Sequence, residues 1–413
     1  MSRVNRHNFL SINSFIILIF ACYYILPAAS AKYSFLFATA LGFGYVCMTV
    51  FQNKMKISKT VLFYIFLIVV IAFLYMILTD SSSIASDVTN RGMKRFMSKL
   101  YQMGMMFLPI LFLKWAVLYA SKIEKKTIIA ISYSLIIYVV YTTMQQLTIN
   151  PNITRAWAEF AESGTNNVAN YYFVYAIPFI IALCTMIACR TKKTGIKILL
   201  IAAIVMQMYF LLLAQYTLSV LISIVGICME VYVNSKRGQK RVVLCLGFVI
   251  LGIASPWIVK FAASRVPSEQ MSIRLYEIYY FLIGGDTTGY NMQGRMTLYI
   301  DTVKAFLTSP ILGNRSLDFD GHATFLTVLS DLGVLGGVPF YYLYFSSRKK
   351  VKKIINDRSE SFKVIFVMLF LMGLTNPIHT ALPLMYVVWF LAPLTIYMYR
   401  EYEEEKIYGI MEN

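Results

Sequence analysis

The stretch from Val61 to Thr79 reads VLFYIFLIVVIAFLYMILT, nineteen consecutive residues without a charge. At about 1.5 Å of rise per residue, an α-helix of that length matches the roughly 30 Å hydrocarbon thickness of a bilayer. A surface helix of a soluble domain keeps a polar face, and this run has none. Runs of the same kind recur along the chain. Reading at the length of one crossing predicts about twelve transmembrane helices, at roughly 9–27, 33–51, 61–79, 100–119, 128–147, 168–189, 197–215, 218–233, 242–261, 322–345, 363–378 and 382–399. Two of the intervals, 197–233 and 363–399, are each near double one crossing, and they divide at Gln215-Tyr216-Thr217 and at Asn376-Pro377.

Composition agrees with that reading. Of 413 residues, 58% are hydrophobic and 14% charged, and the mean hydropathy is +0.64. Soluble domains carry about 25% charged residues. A soluble enzyme, a nucleic-acid-binding protein and a disordered chain are thereby excluded. The expected fold is an all-α polytopic membrane protein, with residues 1–413 forming a single integral membrane domain. Arg3 and Arg6 precede an apolar run too long for a signal-peptide core, so the first run is expected to stay as a span. The six cysteines, Cys22, Cys47, Cys184, Cys189, Cys228 and Cys245, all lie in apolar segments without a C-x-x-C pair, and they read as small buried hydrophobes.

The net charge of +18 sorts by side. With the N-terminus inside, 25 of the 38 basic residues fall in the cytoplasmic loops and termini, including Arg348, Lys349, Lys350, Lys352 and Lys353. That is the expected topology bias, and it puts both termini in the cytoplasm. Twelve basic residues remain outside: Lys32, Arg91, Lys94, Arg95, Lys99, Arg155, Lys260, Arg265, Arg274, Arg295, Lys304 and Arg315. Seven of these are arginine, against eight of the 25 inside. The planar guanidinium fork matches phosphate oxygens, so the outer set points to an anionic ligand such as a lipid diphosphate. Pairing with lipid headgroups and outer carboxylates is the plainer role.

The longest polar interval is the outer loop 262–321, sixty residues ahead of the run at 322. Two stretches in it, Ser272 to Leu282 and Met296 to Leu307, are amphipathic at helical spacing and suit the membrane interface. The second has an apolar stripe of Met296, Tyr299, Ile300, Val303, Phe306 and Leu307, with Thr297, Asp301, Thr302 and Lys304 opposite. Then come Pro310-Ile311-Leu312-Gly313, Arg315, Asp318-Phe319-Asp320 and His322. His322 opens the next run, where Gly333, Gly336 and Gly337 allow close helix approach and Pro339 permits a kink. A histidine at the membrane surface can exchange a proton near neutral pH; it can equally be a plain interfacial residue. Asp331 is the only charge well inside a run, nine residues from His322 and on the opposite helical face.

Residues 294–337 resemble the O-antigen ligase/polymerase superfamily. Gly294-Arg295, the amphipathic helix, Pro310-Ile311-Leu312-Gly313 and His322 opening a glycine-rich span carry the likeness. Ten residues separate His322 from Gly333, matching the H-x10-G of Wzy-type polysaccharide polymerases, and Gly333-Val334-Leu335-Gly336 matches the G-x-x-G that follows. The resemblance implies a GT-C-like membrane glycosyltransferase in a bacterial plasma (inner) membrane, with its active site on the extracytoplasmic face in loop 262–321. Its reaction would move a growing glycan from undecaprenyl diphosphate to the terminal sugar of another lipid-linked repeat unit, in O-antigen, lipopolysaccharide or capsule synthesis.

Under that resemblance His322 and Arg295 are the catalytic candidates, His322 as general base or as a cationic diphosphate ligand. Arg155, Arg265, Arg274 and Arg315 are candidates for holding the diphosphate, stabilising leaving-group charge in place of a metal. Asp318 and Asp320 would orient His322 or bind sugar hydroxyls. No metal and no cofactor are expected. Partners would be the undecaprenyl-diphosphate-linked oligosaccharide, the bilayer, a chain-length regulator and a flippase, and no nucleic acid. The pattern departs from the family's ligases at the turn Gln215-Tyr216-Thr217, which lacks their arginine, and around Arg155, which has no glycine at the matching spacing. A ligase acting on a different acceptor is the rival enzyme, and a lipid-linked-oligosaccharide flippase the rival of another class.

Overall fold

A computed structural model describes residues 11–32, 42, 59–78, 88–150, 153–154, 167–235, 238–265, 269–285, 291–313, 323–356, 360–376, 378 and 381–407. The described chain is all-helical: α1 (Ile12–Ile25), α2 (Pro27–Lys32), α3 (Lys59–Leu78), α4 (Val88–Tyr119), α5 (Lys122–Leu147), α6 (Tyr171–Val174), α7 (Ile177–Arg190), α8 (Thr194–Leu213), α9 (Thr217–Asn234), α10 (Gly238–Ala263), α11 (Glu269–Leu282), α12 (Asn291–Thr308), α13 (Thr324–Ile355), α14 (Ser361–Thr375), α15 (Leu382–Tyr386) and α16 (Ala392–Ile407). A π-helical turn, Val387–Leu391, joins α15 to α16.

Six helical segments are long and apolar enough to cross a membrane: Lys122–Leu147, Tyr171–Arg190, Thr194–Leu213, Thr217–Asn234, Thr324–Ile355 and Leu382–Glu405. The chain is a multi-pass membrane protein on that ground. The expected count of twelve is corrected to six among the described residues. Among the described residues, shorter apolar stretches of 10–17 residues lie at Ile12–Ile25, Ile65–Leu74, Met103–Tyr119 and Ser361–Thr375, the second of them inside α3, which is helical over twenty residues. Two of them stop for a local reason. α1 ends on Leu26 and α14 on Asn376, both extended and each directly before a proline, whose ring disfavours the helical conformation in the residue ahead of it. The interval 33–51 lies outside the described residues except for position 42, and 242–261 falls within α10, half of whose side chains lie outside them.

Burial separates a central layer from a lipid-facing one. The segments Tyr171–Arg190 and Leu382–Glu405 are 78% and 83% buried, whereas Thr194–Leu213 is only 17% buried. The outer helices turn large apolar side chains outward, such as Phe66 on α3, Tyr141 on α5 and Leu199 on α8. In water that surface would be an association hazard; in lipid it is at home. The centre is aromatic. Trp389 of the π-turn lies against Tyr344, Phe362 and Phe366, and Tyr386 lies against Tyr24 and Phe390. The Tyr24 hydroxyl donates to Met105 O at 2.6 Å, and the Tyr386 and Ser132 hydroxyls pair at 2.8 Å. These two buried phenols are tolerated because each finds a partner.

Most of the ion pairs among the described residues lie at the opposite end from Thr324, the exception being Lys304 with Asp301 on α12. Ser121 and Glu124 form a capping box at the start of α5, and Glu124 also accepts from Ser11 N and Ser14 Oγ at 2.8 and 2.9 Å, tying α1 to α5. Lys122 pairs with Glu405, and Lys125 with Glu401. Between α13 and α14, Glu360 accepts from Lys352 at 2.8 Å and pairs with Lys363 at 3.4 Å. The Lys352 hydrogen bond holds the Glu360 carboxyl below its ordinary range. A depressed folded-state pKa stabilises above the unfolded value and is lost as pH falls through the folded one. Lys352→Ala is therefore expected to cost under about 1 kcal/mol at neutral pH, since the pair is largely exposed. The difference from wild type should vanish in unfolding curves taken at acid pH.

Candidate functional site

The helix that His322 was expected to open is broken. α13 starts at Thr324, and Gly333 interrupts it with φ 57° and ψ −160°. A backbone at that point leaves the next amides without their partners four residues back. The chain supplies partners from outside the helix. Val334 N–H donates to Pro310 O at 2.8 Å and Leu335 N–H to Ile311 O at 3.2 Å. The turn that provides these carbonyls closes on itself through Gly313 N to Ser309 O at 2.8 Å. The two halves of the 294–337 pattern are thus bonded to each other. Helix breaks at membrane depth are tolerated where neighbouring protein re-satisfies the backbone.

Two glycines make that docking sterically possible. A Cβ on Gly313 would lie 2.3 Å from Asp331 O, and one on Gly333 would lie 2.4 Å from Ile311 O. Both glycines also have positive φ, which disfavours any side chain. The roles expected for this run change accordingly. Pro339 sits within the helix and the break is at Gly333 instead. Gly336 and Gly337 do not serve helix–helix approach; a Cβ there would meet Leu332 at 2.6 Å and Leu329 at 2.8 Å, side chains of the same helix. Bending at Gly333 folds the first half of α13 over the second, and the glycines make room for it. The amides at the break are consumed by carbonyls, so this helix N-terminus offers no anion site.

α12 lies against α13, but not by its apolar stripe. Thr302 and Ala305 are buried at 1% and 6% exposure, while Ile300, Val303 and Leu307 are exposed. Thr302 is expected on the polar face, yet its hydroxyl turns back onto Leu298 O at 2.6 Å, so it packs as a small residue. The large apolar side chains face outward, as suits a helix lying in lipid. Tyr299 reaches across to Thr375 O at 3.4 Å.

The start of α13 is fixed by a junction with the α14–α15 break. Thr324 N and Oγ1 both donate to Asn376 O, at 3.1 and 2.8 Å, and Thr324 Oγ1 accepts from Ile378 N at 2.7 Å. Tyr175, just after α6, donates to Asn376 Oδ1 at 2.9 Å. α6 itself is started by Asn170, whose side chain accepts from Phe173 N at 2.9 Å. Tyr175 meets Tyr216 edge-on with ring centres 5.9 Å apart. Tyr216 belongs to the α8–α9 turn, where Gln215 is buried with φ 60°. The Tyr216 hydroxyl points to Thr154 O at 3.5 Å. A small apolar cavity lies beside Tyr216, lined by Leu211, Leu212, Val220 and, from α11, Leu275. Thr324→Val is expected to destabilise by about 1–3 kcal/mol, because it orphans the buried Ile378 amide without changing shape; thermal unfolding of the purified protein reads this.

Of the eight expected site residues, Arg265 is the one whose side chain is described. It is exposed just after α10 and stacks over Phe261 at 5.4 Å. Arg274 and Arg295 lie on α11 and α12, and their side chains lie outside the described residues, as do Arg155, Arg315, Asp318, Asp320 and His322 entirely. Their neighbours in sequence are described: Thr154 precedes Arg155, Leu275 follows Arg274, and Thr324 is two residues past His322. All three belong to one continuous cluster with Tyr175, Tyr216 and Asn376. Sequence reading treated Asn376-Pro377 as a helix break and Gln215-Tyr216-Thr217 as a break and as the turn that lacks the ligases' arginine, and passed over Tyr175. Polar residues at a break, where helical bonding stops, were the signal available. Among the described residues no group of three His, Cys, Asp or Glu could hold a metal ion. No family model, no curated protein and no solved structure matches this chain.

Proposed function

We propose that the chain is a GT-C-like polysaccharide polymerase of a bacterial plasma membrane. It transfers a glycan from undecaprenyl diphosphate to the terminal sugar of another lipid-linked repeat unit on the outer face, with both termini in the cytoplasm. The observation that carries this reading is the clasp between the 309–313 turn and the break at Gly333. Residues singled out by the resemblance, Gly313 and Gly333, meet backbone to backbone. In sequence His322 lies two residues before Thr324, and Arg295 lies on α12, which packs on α13. In the reaction the diphosphate leaves with its charge stabilised by arginine, with Arg295 assisted from among Arg155, Arg265, Arg274 and Arg315. His322 takes the acceptor hydroxyl proton or holds the diphosphate as a cation. Asp318 and Asp320 orient His322 or bind sugar hydroxyls.

Deleting the gene in its host and resolving surface glycan on a gel tests the proposal. A polymerase predicts loss of the ladder with a single repeat unit still attached. Loss of all repeat units from the final acceptor, with polymer retained on the lipid, identifies the ligase instead. Unexported repeat units accumulating inside the cell identify a flippase and remove the proposal.

A further inference from the structure

We propose that the end of α13 and the neighbouring end of α4 form a binding site for an anionic phospholipid, whose phosphate is held between Lys114 and Lys350. α3, α4 and α13 pack on one another. α3 and α4 contain no aspartate or glutamate, and α13 contains one, Asp331, in its first half before the Gly333 break. The end of α13 opposite Thr324 carries Arg348, Lys349, Lys350, Lys352 and Lys353, and Lys114 of α4 lies beside it. Counter-charge for this group has to come from another element or from outside the chain.

The neighbouring acids are engaged elsewhere. Glu360 takes Lys352 and Lys363, and Glu401, Glu404 and Glu405 of α16 pair with Lys125, Arg400 and Lys122. Arg348 lies over the Phe366 ring at 5.2 Å. Among the described residues Lys114 forms no ion pair. Lys114 and Lys350 are each half-buried, and near enough for the charge of one to act on the other. Like charges held together partly out of water repel. One anion shared between them replaces that repulsion with two attractions.

Two plainer roles fit less well. A topology signal needs positive charge anywhere in the flanking loop, and it does not hold two lysines together. Snorkelling lysines reach for water separately, which would carry them apart. The surface on the membrane side of the lysines selects a lipid over a free anion. Phe63 of α3 and Tyr342 of α13 meet edge-on with ring centres 5.7 Å apart, and they are 43% and 53% exposed. Leu62 and Phe66 continue that open apolar surface along α3. Tyr342 precedes Lys350 by about two helical turns, so acyl chains and phosphate meet apolar and cationic groups in the order a phospholipid presents them. A zwitterionic headgroup brings its own cation, and the site therefore prefers phosphatidylglycerol to phosphatidylcholine. This leaflet is the inner one in the topology proposed above, but the site depends neither on that sidedness nor on the polymerase reading.

The test uses the full chain in detergent with phosphatidylglycerol or phosphatidylcholine added, bound lipid being counted by native mass spectrometry. Phosphatidylglycerol is expected to bind in preference. Its affinity should fall about thirtyfold in Lys114→Gln/Lys350→Gln, the weight of two basic side chains at an anionic headgroup. Lys350→Gln alone should lose about fivefold and carries the test if the double variant is unstable; Lys350→Arg should keep the lipid. Lys349→Gln/Lys353→Gln removes the same charge from exposed positions and should lose less. No preference for phosphatidylglycerol, or a preference that the Lys114 and Lys350 glutamine variants keep, overturns the site. Equal loss in the two double variants marks diffuse surface attraction and overturns it as well. Displacement of the lipid by inorganic phosphate at equal concentration identifies a free-anion site and rejects the phospholipid.

Discussion

Gly333→Ala should lower the unfolding temperature of the purified protein further than methyl addition at an open helical glycine. The added Cβ would lie 2.4 Å from Ile311 O and 2.6 Å from Gly313 N. Those are backbone atoms, which cannot rotate away as a side chain can. The residue would also be held at φ 57°. Strain of that conformation costs about 1–3 kcal/mol, and overpacking of a fixed contact adds about 1–3 kcal/mol more. Relief requires undocking the 309–313 turn, which exposes the amides of Val334 and Leu335. A loss of about 3–5 kcal/mol is expected on these grounds. Gly313→Ala should match it, because its Cβ meets Asp331 O and Gly333 N in the same contact. The double variant should cost less than the sum, since either change alone opens the clasp. Gly104→Ala is the control. Nothing lies within 4 Å of its Cβ, and in a helix interior alanine is better than glycine by up to about 1 kcal/mol. If Gly333→Ala unfolds like Gly104→Ala, the turn does not clasp α13.

The second large effect concerns transfer itself. His322→Ala is expected to reduce glycan polymerisation by about 10²–10⁴-fold, the usual weight of a positioned acid–base group, with protein level and unfolding temperature unchanged. Chain-length analysis of glycan made by cells carrying the variant measures it. His322→Gln separates the two roles open to this residue. An amide can still donate a hydrogen bond to a diphosphate but cannot take a proton. Retained activity in the glutamine variant therefore assigns diphosphate binding, and equal loss assigns the base. Normal polymer length in His322→Ala removes the histidine from the mechanism.

Hydropathy was legible because it is local. The uncharged run at 61–79 is helical over Lys59–Leu78, and the two amphipathic stretches of the long loop are helical over Glu269–Leu282 and Asn291–Thr308. What each helix faces was not legible in the same way. The apolar stripe of α12 reads as suiting the membrane interface, and the pattern does not mark Thr302 and Ala305 as the residues the helix buries. The span count failed for a related reason. A hydropathy window measures apolar length and does not register that helical bonding stops at Leu26 ahead of Pro27, whereas the break at Asn376-Pro377 is legible in the sequence.

The amino-acid order alone determined that this chain lives in a bilayer as helices, because free energy of transfer depends on residue type and run length. It also marked Gly313, Gly333 and His322 as parts of one pattern. Only the tertiary structure decided that the two glycines touch, that a turn outside α13 satisfies the amides freed at its break, and that Tyr175, Tyr216, Thr324 and Asn376 meet at one end. Those contacts join residues up to about two hundred positions apart, as Tyr175 and Asn376 are. Such pairings are set by packing and by the need of each buried polar group for a partner. No window along the sequence measures either.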